Sequence, residues 1–325
     1  MKFLVIGGAG YIGSHMVKQL LGACHELVVA DNFSTGHRGA LMGGKLVELD
    51  IADEQSLDAL FAEHHFDAVF HFASFIQVGE SVTEPAKYYQ NNVCATLTLV
   101  KAMVRARVKN FIFSSSAAVY GDPVYVPVDE KHPKAAINPY GRSKWMVEQV
   151  LEDFDRAYGL KSVCLRYFNA AGADPEGQLG ERHEPETHLL PLILQAASGR
   201  RTSITVYGRD YDTPDGTCIR DYVHVVDLVA AHALAVDYLR DGGASTAFNL
   251  GNGQGFSVQQ VIDTARYVTG KNICVSEAPR RAGDPPRLVA DSRRANTLLG
   301  WQPRFSSLEQ IVAHAWIWEQ KYPWN

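Results

Sequence analysis

The stretch from Met1 to Asp31, MKFLVIGGAGYIGSHMVKQLLGACHELVVAD, decides the fold of this chain. Strand-forming residues at positions 3–6 precede three glycines at G-x-x-G-x-x-G spacing, Gly7, Gly10 and Gly13. A helical pattern follows, in which apolar residues recur every three or four positions, and a second apolar run ends on Asp31. The order of strand, glycine turn, helix, strand and acidic residue is typical of a dinucleotide-binding site.

Each part of this stretch has a physical role in holding a dinucleotide. The first glycine permits a tight turn, the second lets the backbone approach a pyrophosphate, and the third lets the helix pack on the strand. Free N–H groups and the helix dipole favour phosphate oxygens at the start of the helix. Asp31 can accept hydrogen bonds from both ribose hydroxyls and disfavours a 2′-phosphate, and Asn32 adds no compensating positive charge. The sequence therefore predicts NAD rather than NADP, with the Gly-, Ser- and Thr-rich loop at 33–44 around the adenosine ribose.

Length and composition favour a globular enzyme. With 325 residues, 46% of them hydrophobic, the chain is long enough for about two domains. Its net charge is −5 and its Lys and Arg residues are scattered, so we expect no nucleic-acid partner. The chain has five cysteines, an odd number, and no C-x-x-C motif. This pattern favours a reducing, cytoplasmic location. We find no targeting segment and no apolar run of transmembrane length, so we expect no membrane association.

Strand and helix patterns alternate beyond the opening stretch as far as residue 167. Uninterrupted apolar strands, such as residues 68–72, are typical of a parallel sheet that is buried on both faces. The alternation predicts an α/β fold, a Rossmann-type doubly wound parallel sheet. We assign it to a NAD-binding domain at residues 1–168.

The pattern changes after residue 168. A polar loop covers residues 169–188, and the strand-like segments that follow it are short, at 204–207, 248–250 and 273–275. This change predicts a smaller mixed α/β substrate-binding domain at residues 169–325. A helix at about residues 224–240 is expected to pack back on the first domain.

Tyr140 and Lys144 lie four positions apart on a predicted helix at 140–158, which puts both side chains on one face. A phenol with a pKa of about 10 is a poor base at neutral pH, and a nearby ammonium group lowers that pKa. Ser116 ends the predicted fifth strand, at the sheet edge where a substrate alcohol would lie. A Tyr-x-x-x-Lys pair alone is common on solvated helix faces. After a dinucleotide fingerprint and a serine-bearing strand end, it indicates catalysis by Ser116, Tyr140 and Lys144.

Together these motifs resemble the extended short-chain dehydrogenase/reductases, and more closely the UDP-glucose 4-epimerase family. The resemblance covers nearly the whole chain and is far more specific than any one motif. Besides the glycine stretch, it is carried by the segments Val78–Ser81, Tyr89, Asn91–Val93, Phe113–Gly121, Asn138–Gly141, Arg166–Asn169, Asp215–Thr217, Arg220–Tyr222 and Arg280–Asp284.

The resemblance implies an isomerase of nucleotide-sugar and galactose metabolism. The reaction would be the reversible interconversion of UDP-galactose and UDP-glucose through a transient 4-keto sugar, with the hydride held on tightly bound NAD. Tyr140 would be the base for the 4′-hydroxyl, Lys144 would tune it and hold the nicotinamide ribose, and Ser116 would bind the 4′-oxygen. A homodimer is implied, paired through the helices predicted near 91–108 and 140–158.

The resemblance also implies the binding residues. NAD contacts would fall on the glycine turn and on the ends of the parallel strands, at Gly7, Gly10, Tyr11, Ile12, Gly13, Asp31, Asn32, Asp50, Ile51, Phe72, Ala73, Asn91, Ser116, Tyr140, Lys144 and Phe168. UDP-sugar contacts would fall on Ser116, Tyr140, Asn169, Leu189, Arg220, Arg281 and Asp284.

Other functions use parts of the same constellation. A UDP-pentose or UDP-N-acetylhexosamine 4-epimerase would use the same residues, and Leu288 near the sugar does not decide whether an N-acetyl group fits. A nucleotide-sugar 4,6-dehydratase would need Asp-Glu after the strand-end hydroxyl, where this chain has Ala117-Ala118. An NAD-binding regulatory protein would typically lack the Tyr–Lys pair or the strand-end hydroxyl, both of which are present here.

Two histidine patterns are expected to be unrelated to function. His183 and His188 are five positions apart with a proline between them, and on a helix they would not share a face. We therefore expect no metal site. His71 lies in an apolar strand and is expected to be a core residue.

Overall fold

A computed structural model describes residues 1–281 and 284–323, so Ala282 and Gly283 of the segment 280–284 lie outside the described residues. Its first half contains, in chain order, β1 (Lys2–Ile6), α1 (Tyr11–Gly22), β2 (Glu26–Asp31), β3 (Lys45–Glu48), α2 (Glu54–Glu63), β4 (Ala68–His71), α3 (Val78–Thr83), α4 (Pro85–Tyr88), a π-helical segment (Tyr89–Ala95), α5 (Thr96–Arg105), β5 (Asn110–Ser116), α6 (Pro139–Tyr158) and β6 (Lys161–Tyr167).

The second half has shorter strands. It contains β7 (Asn169–Ala171), α7 (Leu189–Ser198), β8 (Ile204–Tyr207), β9 (Ile219–Arg220), β10 (Tyr222–His224), α8 (Val225–Arg240), β11 (Thr246–Leu250), β12 (Phe256–Ser257), α9 (Val258–Thr269), β13 (Val275–Ala278), β14 (Arg287–Leu288), α10 (Arg293–Leu298) and α11 (Leu308–Glu319).

The central sheet has seven parallel strands in the order β11-β6-β5-β4-β1-β2-β3. The chain runs from β1 outward to β3, then returns to β4 on the other side of β1 and runs outward again. The strand order therefore reverses between β1 and β4, which is where ligands bind in open α/β sheets. The predicted Rossmann-type doubly wound sheet is confirmed.

Two hydrophobic cores cover the two faces of this sheet. Phe3 and Val5 of β1 point into one core, which α1 and α8 complete, whereas Leu4 and Ile6 point into the other, beneath α2, α5 and α6. Successive residues of a strand face opposite sides, so a strand buried on both faces must be apolar at every position. This requirement explains the uninterrupted apolar runs in the sequence.

The chain returns to the central sheet after residue 169. Helix α8 contributes Leu228 and Val236 to the same core as Phe3. Strand β11 pairs with β6 in parallel, Phe248 opposite Leu165. Sequence analysis assigned 248–250 to the smaller domain, but these residues form the edge of the central sheet. The division at residue 168 stays a proposal, to which α8 and β11 must be added on the nucleotide-binding side.

The smaller unit has its own core, built by α7, α9 and α11 around Ile193, Ile262 and Ile311. Its strands form three small sheets: β10-β7, β12-β9-β14 and β13-β8. Strand β7 begins in the segment expected to be a polar loop, and the strand expected at 273–275 lies at Val275–Ala278. Within the described residues, no helix is long and apolar enough to cross a membrane.

Candidate active site

The glycine turn after β1 has the geometry that its sequence requires. Gly7 has φ +74°, a conformation that side chains disfavour, and a Cβ there would lie 2.6 Å from the Ala73 nitrogen. A Cβ on Gly13 would lie 2.1 Å from the Gly7 carbonyl oxygen, so this glycine lets α1 pack against the turn. A Cβ on Gly10, the N-cap of α1, would have only the Gly7 carbonyl oxygen within 4 Å, at 3.5 Å. Its open side faces the position where the pyrophosphate of a dinucleotide is expected.

Asp31 is held rigidly at the end of β2. Its Oδ2 accepts a hydrogen bond of 2.8 Å from the Ala9 backbone N–H, and its Oδ1 accepts one of 2.8 Å from Phe33 N–H. Asn32 donates from Nδ2 to Asp50 Oδ2 at 3.0 Å. A carboxylate oxygen accepts more than one hydrogen bond, so Asp31 retains capacity for ribose hydroxyls.

A cleft opens at the point where the strand order reverses. Eight residues expected to contact the cofactor line it: Gly7, Gly10, Asp31, Asn32, Ile51, Phe72, Ala73 and Asn91. Residues 34–36 also line it and come from the loop expected around the adenosine ribose. The glycine cradle and the anchored carboxylate fit an NAD molecule.

Sequence analysis missed Leu49, Ser74 and Phe75 on the cleft wall. Ser74 and Phe75 follow β4 as part of an irregular segment, and no local pattern marks them. The only available signal was their position directly after a strand that ends beside the glycine turn.

The other eight expected cofactor residues do not line this cleft: Tyr11, Ile12, Gly13, Asp50, Ser116, Tyr140, Lys144 and Phe168. Tyr11 donates a hydrogen bond of 2.6 Å to the Gly172 carbonyl oxygen. Ile12 packs on the core beneath α1. Phe168 packs with Trp145 and Leu288 against a small cluster beside the end of β5.

The start of helix α6 places Tyr140 next to Ser116. Asn138 caps the helix by accepting a hydrogen bond of 2.8 Å from Gly141 N–H, and Pro139 occupies the first turn. A Cβ on Gly141 would lie 2.4 Å from the Ala118 carbonyl oxygen. Glycine at this position therefore allows the helix to start against the backbone that follows Ser116, and the Ser116 side chain interacts with that of Tyr140.

Lys144 lies one turn further along α6 and is almost fully buried. Its Nζ donates hydrogen bonds of 2.8 Å to Ser74 Oγ and to the Ser114 carbonyl oxygen, and it lies 5.9 Å from the centre of the Tyr140 ring. The lysine therefore links the end of β5, the cofactor cleft and the tyrosine.

Burial sets the protonation of both groups. It lowers the pKa of Lys144 to about 7, although the negative charge of Glu148 acts in the opposite direction. It also raises the pKa of Tyr140 above its ordinary value, which the Ser116 hydroxyl partly offsets. The protein alone therefore keeps Tyr140 protonated, and the phenolate needs a further positive charge beside it.

A buried polar network supports α6 beneath these residues. Arg166 of β6 donates from Nε to Glu148 Oε1 at 2.9 Å and from a terminal nitrogen to the Tyr120 hydroxyl at 2.9 Å. Tyr120 in turn donates to Asn249 Oδ1 at 2.6 Å. Glu148 follows Lys144 by one helical turn, so the ion pair fixes the face that carries the candidate catalytic residues. Sequence analysis did not identify Glu148.

The π-helical segment also contacts the site. Asn92 accepts a hydrogen bond of 2.9 Å from Phe75 N–H and donates to the Phe75 oxygen at 3.0 Å and to Ser143 Oγ at 3.1 Å. It thereby holds the cleft wall against α6. Mid-helix π turns are frequent at functional sites. The prediction of one continuous helix at 91–108 missed this segment.

The expected substrate residues of the smaller unit are partly brought together. Arg220 lies 3.2 Å from an Asp284 carboxylate oxygen and donates at 2.8 Å to the Pro285 carbonyl oxygen. Arg281 stacks over the Tyr207 ring at 3.9 Å. Asn169 begins β7 at the end of β6, and Leu189 begins α7.

The comparisons with known proteins agree with this geometry. Residues 3–251 match the NAD dependent epimerase/dehydratase family. The chain is 52% identical over 323 residues to the UDP-glucose 4-epimerase of Halalkalibacterium halodurans, which covers 99% of this chain and 97% of that protein.

Two solved structures are similar over nearly the full length. UDP-glucose 4-epimerase from Brucella ovis in complex with NAD superposes with a TM-score of 0.95 at 49% identity and 97% coverage of both chains. The enzyme from Bifidobacterium longum in complex with NAD+ and UDP gives 0.95 at 39% identity and 99% coverage of both.

The chain therefore belongs to the NAD dependent epimerase/dehydratase family. Within that family, these three relatives are UDP-glucose 4-epimerases, and the resemblance inferred from the sequence is confirmed.

Proposed function

We propose that this protein interconverts UDP-galactose and UDP-glucose by inverting the configuration at C4′ through a transient 4-keto sugar. The observation that carries the proposal is the placement of Tyr140, Ser116 and Lys144 beside the dinucleotide cleft. Lys144 Nζ donates to Ser74 on the wall of that cleft and lies 5.9 Å from the Tyr140 ring. Relatives at about half identity over the full chain carry this activity in their names.

NAD is the cofactor. The glycine turn would hold its pyrophosphate, Asp31 its adenosine ribose, and the wall formed by Phe72, Ala73 and Asn91 would enclose the remainder. When bound, NAD would accept a hydride from C4′ and return it, so the reaction would consume no cofactor.

The residues of the chain provide the proton chemistry. Tyr140 takes the proton of the 4′-hydroxyl as the C4′–H bond breaks and returns it to the ketone oxygen in the second half-reaction. Ser116 donates to the 4′-oxygen and holds it in reach of Tyr140. Lys144 in its ammonium form stabilises the phenolate; burial lowers the pKa of Lys144 to about 7, and the negative charge of Glu148 opposes that loss of charge.

We assign the UDP moiety to the smaller unit. Arg220 and Arg281 supply positive charge for a diphosphate, and arginine suits phosphate oxygens because its donors form a planar fork. Asp284 holds Arg220 in place. Asn169 begins β7 directly after β6, and Leu189 begins α7; we assign them to the sugar and the nucleotide.

Two other functions would use the same site. A dehydratase needs acid and base groups after Ser116, but this chain has two alanines there, Ala117 being buried among apolar side chains. UDP-pentose and UDP-N-acetylhexosamine substrates are alternatives that would use the same residues, and Leu288, which packs on the same small cluster as Phe168, does not decide between them.

We further propose a cytoplasmic homodimer. All five cysteines are free thiols, which fits a reducing compartment. Leu97 on α5 and Met146 on α6 are 36% and 41% exposed, and these two helices are the ones we expect to pair between subunits.

A coupled assay on the purified protein tests the proposed activity. UDP-galactose, UDP-N-acetylgalactosamine and UDP-arabinose are offered separately, with no cofactor added. We expect the protein to convert UDP-galactose to UDP-glucose with the NAD that it retains. The rates with UDP-N-acetylgalactosamine and UDP-arabinose then show how well the alternative substrates are accepted. Absence of conversion of all three, even after NAD is supplied, would overturn the assignment.

A further inference from the structure

The amino group of Lys144 has two hydrogen-bond partners of different kinds. Its Nζ donates to Ser74 Oγ at 2.8 Å and to the Ser114 carbonyl oxygen at 2.8 Å. A carbonyl oxygen can only accept a hydrogen bond, whereas a hydroxyl group can either accept one or donate one. The two partners therefore respond differently when Lys144 loses its proton.

The Ser74 hydroxyl can pair with Lys144 in both protonation states. As an ammonium group, Lys144 has three N–H bonds, of which one goes to Ser114, one goes to Ser74 and one remains for a ligand. As a neutral amine it has two N–H bonds and a lone pair, so one N–H still goes to Ser114 and the lone pair can accept from the Ser74 hydroxyl. One N–H bond is therefore left for a ligand in either state.

Both states of Lys144 matter near neutral pH. Burial lowers its pKa to about 7, while Glu148 on the same helix and Cys164 on β6 act in the opposite direction. On β4, the charge of Lys144 helps to lower the pKa of His71, and on α6 the Tyr140 ring centre lies 5.9 Å from Nζ. A partner that could only accept would lose its hydrogen bond whenever the lysine turned a lone pair toward it.

Ser74 is held at a fixed distance from the helix that carries Lys144. The next residue, Phe75, donates its backbone N–H to Asn92 Oδ1 at 2.9 Å, and its carbonyl oxygen accepts from Asn92 Nδ2 at 3.0 Å. Asn92 also donates at 3.1 Å to Ser143 Oγ, on the residue that precedes Lys144. The backbone beside the Ser74 hydroxyl is thus tied to α6 at the position next to the lysine.

We propose that Ser74 is a positioning residue for Lys144, which keeps one N–H of the amino group directed to the cofactor in both protonation states. The inference rests on the proposed function, in which this cleft holds NAD and Lys144 acts beside Tyr140. Ser74 lies on the wall of that cleft. Without its hydroxyl, Nζ would keep only the Ser114 carbonyl oxygen and would be free to rotate away from the cofactor.

A double-mutant cycle on NAD affinity tests whether Ser74 acts through Lys144. Calorimetry on protein freed of NAD compares wild type, Ser74→Ala, Lys144→Met and the double variant, each checked by circular dichroism. We expect Ser74→Ala alone to weaken NAD binding about tenfold, because a misdirected ammonium group loses its hydrogen bond to the cofactor. In the Lys144→Met background we expect a change of less than about twofold, because no amino group is left to position. An equal loss in both backgrounds, or unchanged affinity in Ser74→Ala, would overturn the proposal.

Ser34→Ala is the matched control for this cycle. Ser34 lines the same cleft, but among the described residues its hydroxyl is not a hydrogen-bond partner of Lys144. Whatever effect Ser34→Ala has on NAD affinity is therefore expected to be the same in the wild-type and Lys144→Met backgrounds. Coupling of Ser34 to Lys144 as strong as that of Ser74 would overturn the specific role of Ser74.

The pH dependence of the cycle tests whether the Ser74 hydroxyl works in both directions. The affinities are measured at about pH 5.5 and about pH 8.5, where Lys144 is mainly an ammonium group and mainly an amine. We expect Ser74→Ala to weaken NAD binding at both values. A loss confined to one of them would overturn the two-way role.

Kinetics add a readout that a general loss of structure would not give. We expect Ser74→Ala to lower kcat about tenfold and to leave KM for UDP-galactose within about twofold, because Ser74 lies on the cofactor side of the site. A raised KM with unchanged kcat would contradict the positioning role. Wild-type protein that did not convert UDP-galactose would refute the proposed activity, whereas the NAD affinities would still decide the role of Ser74.

Discussion

Glu148 and Arg166 form a buried ion pair beneath the helix that carries Tyr140 and Lys144. Arg166 Nε lies 2.9 Å from Glu148 Oε1, and each side chain is only 5% exposed. The pair joins α6 to β6, so it couples the position of the candidate catalytic residues to the central sheet.

Removal of the Glu148 charge is expected to destabilise the protein. Glu148→Gln leaves a buried guanidinium without its counter-charge, and we expect the free energy of unfolding to fall by about 3–5 kcal/mol. Urea unfolding monitored by circular dichroism measures this. The matched control is Glu152→Gln on the same helix, which breaks an exposed pair with Arg156 and is expected to cost less than about 1 kcal/mol. Equal losses in both variants would contradict a supporting role for the buried pair.

Tyr140→Phe removes only the phenolic oxygen. We expect the turnover number to fall by about 10²–10⁴-fold, because the proton of the 4′-hydroxyl loses its acceptor. Retained NAD and the unfolding midpoint are measured in parallel and are expected to stay near their wild-type values. Tyr158→Phe, on the exposed end of the same helix, is expected to leave the rate unchanged. A Tyr140→Phe enzyme with a wild-type rate would contradict the assigned base.

The glycine turn offers a test that separates folding from cofactor binding. At Gly10 a methyl group meets only the Gly7 oxygen at 3.5 Å, so Gly10→Ala is expected to change the unfolding free energy by about 1 kcal/mol or less. The same methyl group would occupy the expected path of the pyrophosphate. We expect NAD affinity to fall at least about tenfold, or about 1.4 kcal/mol, measured by calorimetry on protein freed of NAD.

Gly22→Ala is the control for this variant, because nothing lies within 4 Å of a Cβ at that position. It is expected to bind NAD normally. Normal NAD affinity in Gly10→Ala would show that the pyrophosphate does not pass over this glycine.

His71 gives the protein a predictable response to acid. Burial, together with the charge of Lys144, lowers its pKa from 6.5 to about 3. Between these values the unfolded chain binds a proton that the folded protein does not, so stability falls as the pH drops below 6.5. Each such histidine contributes a slope of up to about 1.4 kcal/mol per pH unit.

We therefore expect His71→Asn to reduce the slope of the unfolding free energy against pH between about pH 5 and 6.5. The reduction is expected to be up to about 1.4 kcal/mol per pH unit, which is the contribution of one proton. Urea titrations at several pH values measure the slope. His65→Asn, which changes an exposed histidine, is expected to retain the wild-type slope. Identical slopes in both variants would contradict a buried, neutral His71.

The dinucleotide-binding unit could be predicted from the sequence because its signals are local. The strand, the glycine spacing, the helix and Asp31 all lie within 31 residues, and the contact that requires glycine at position 13 is with Gly7, in the same turn. The helix that carries Tyr140 was predicted within one residue of its observed start because its cap and its proline are adjacent to it.

Contacts between distant segments could not be predicted in this way. Strand β11 joins the sheet through pairing with β6, about 80 residues earlier, and its short pattern resembles any edge strand. Glu148 has the polar character of a solvated helix position, and only the position of Arg166 shows that it is buried. The proximity of Glu181, His183, Glu186 and His188 was missed because a helix was considered where the chain forms an irregular loop.

The central claim is that the C4′ hydrogen leaves as a hydride and returns to the same carbon within one protein molecule. UDP-galactose bearing deuterium at C4′ is incubated in ordinary water with the purified holoenzyme, and the UDP-glucose formed is analysed by mass spectrometry and NMR. We expect the deuterium to be retained at C4′. Loss of the label to solvent would contradict the account, because it would mean that C4′ is inverted by removal of a proton and not by hydride transfer beside Tyr140.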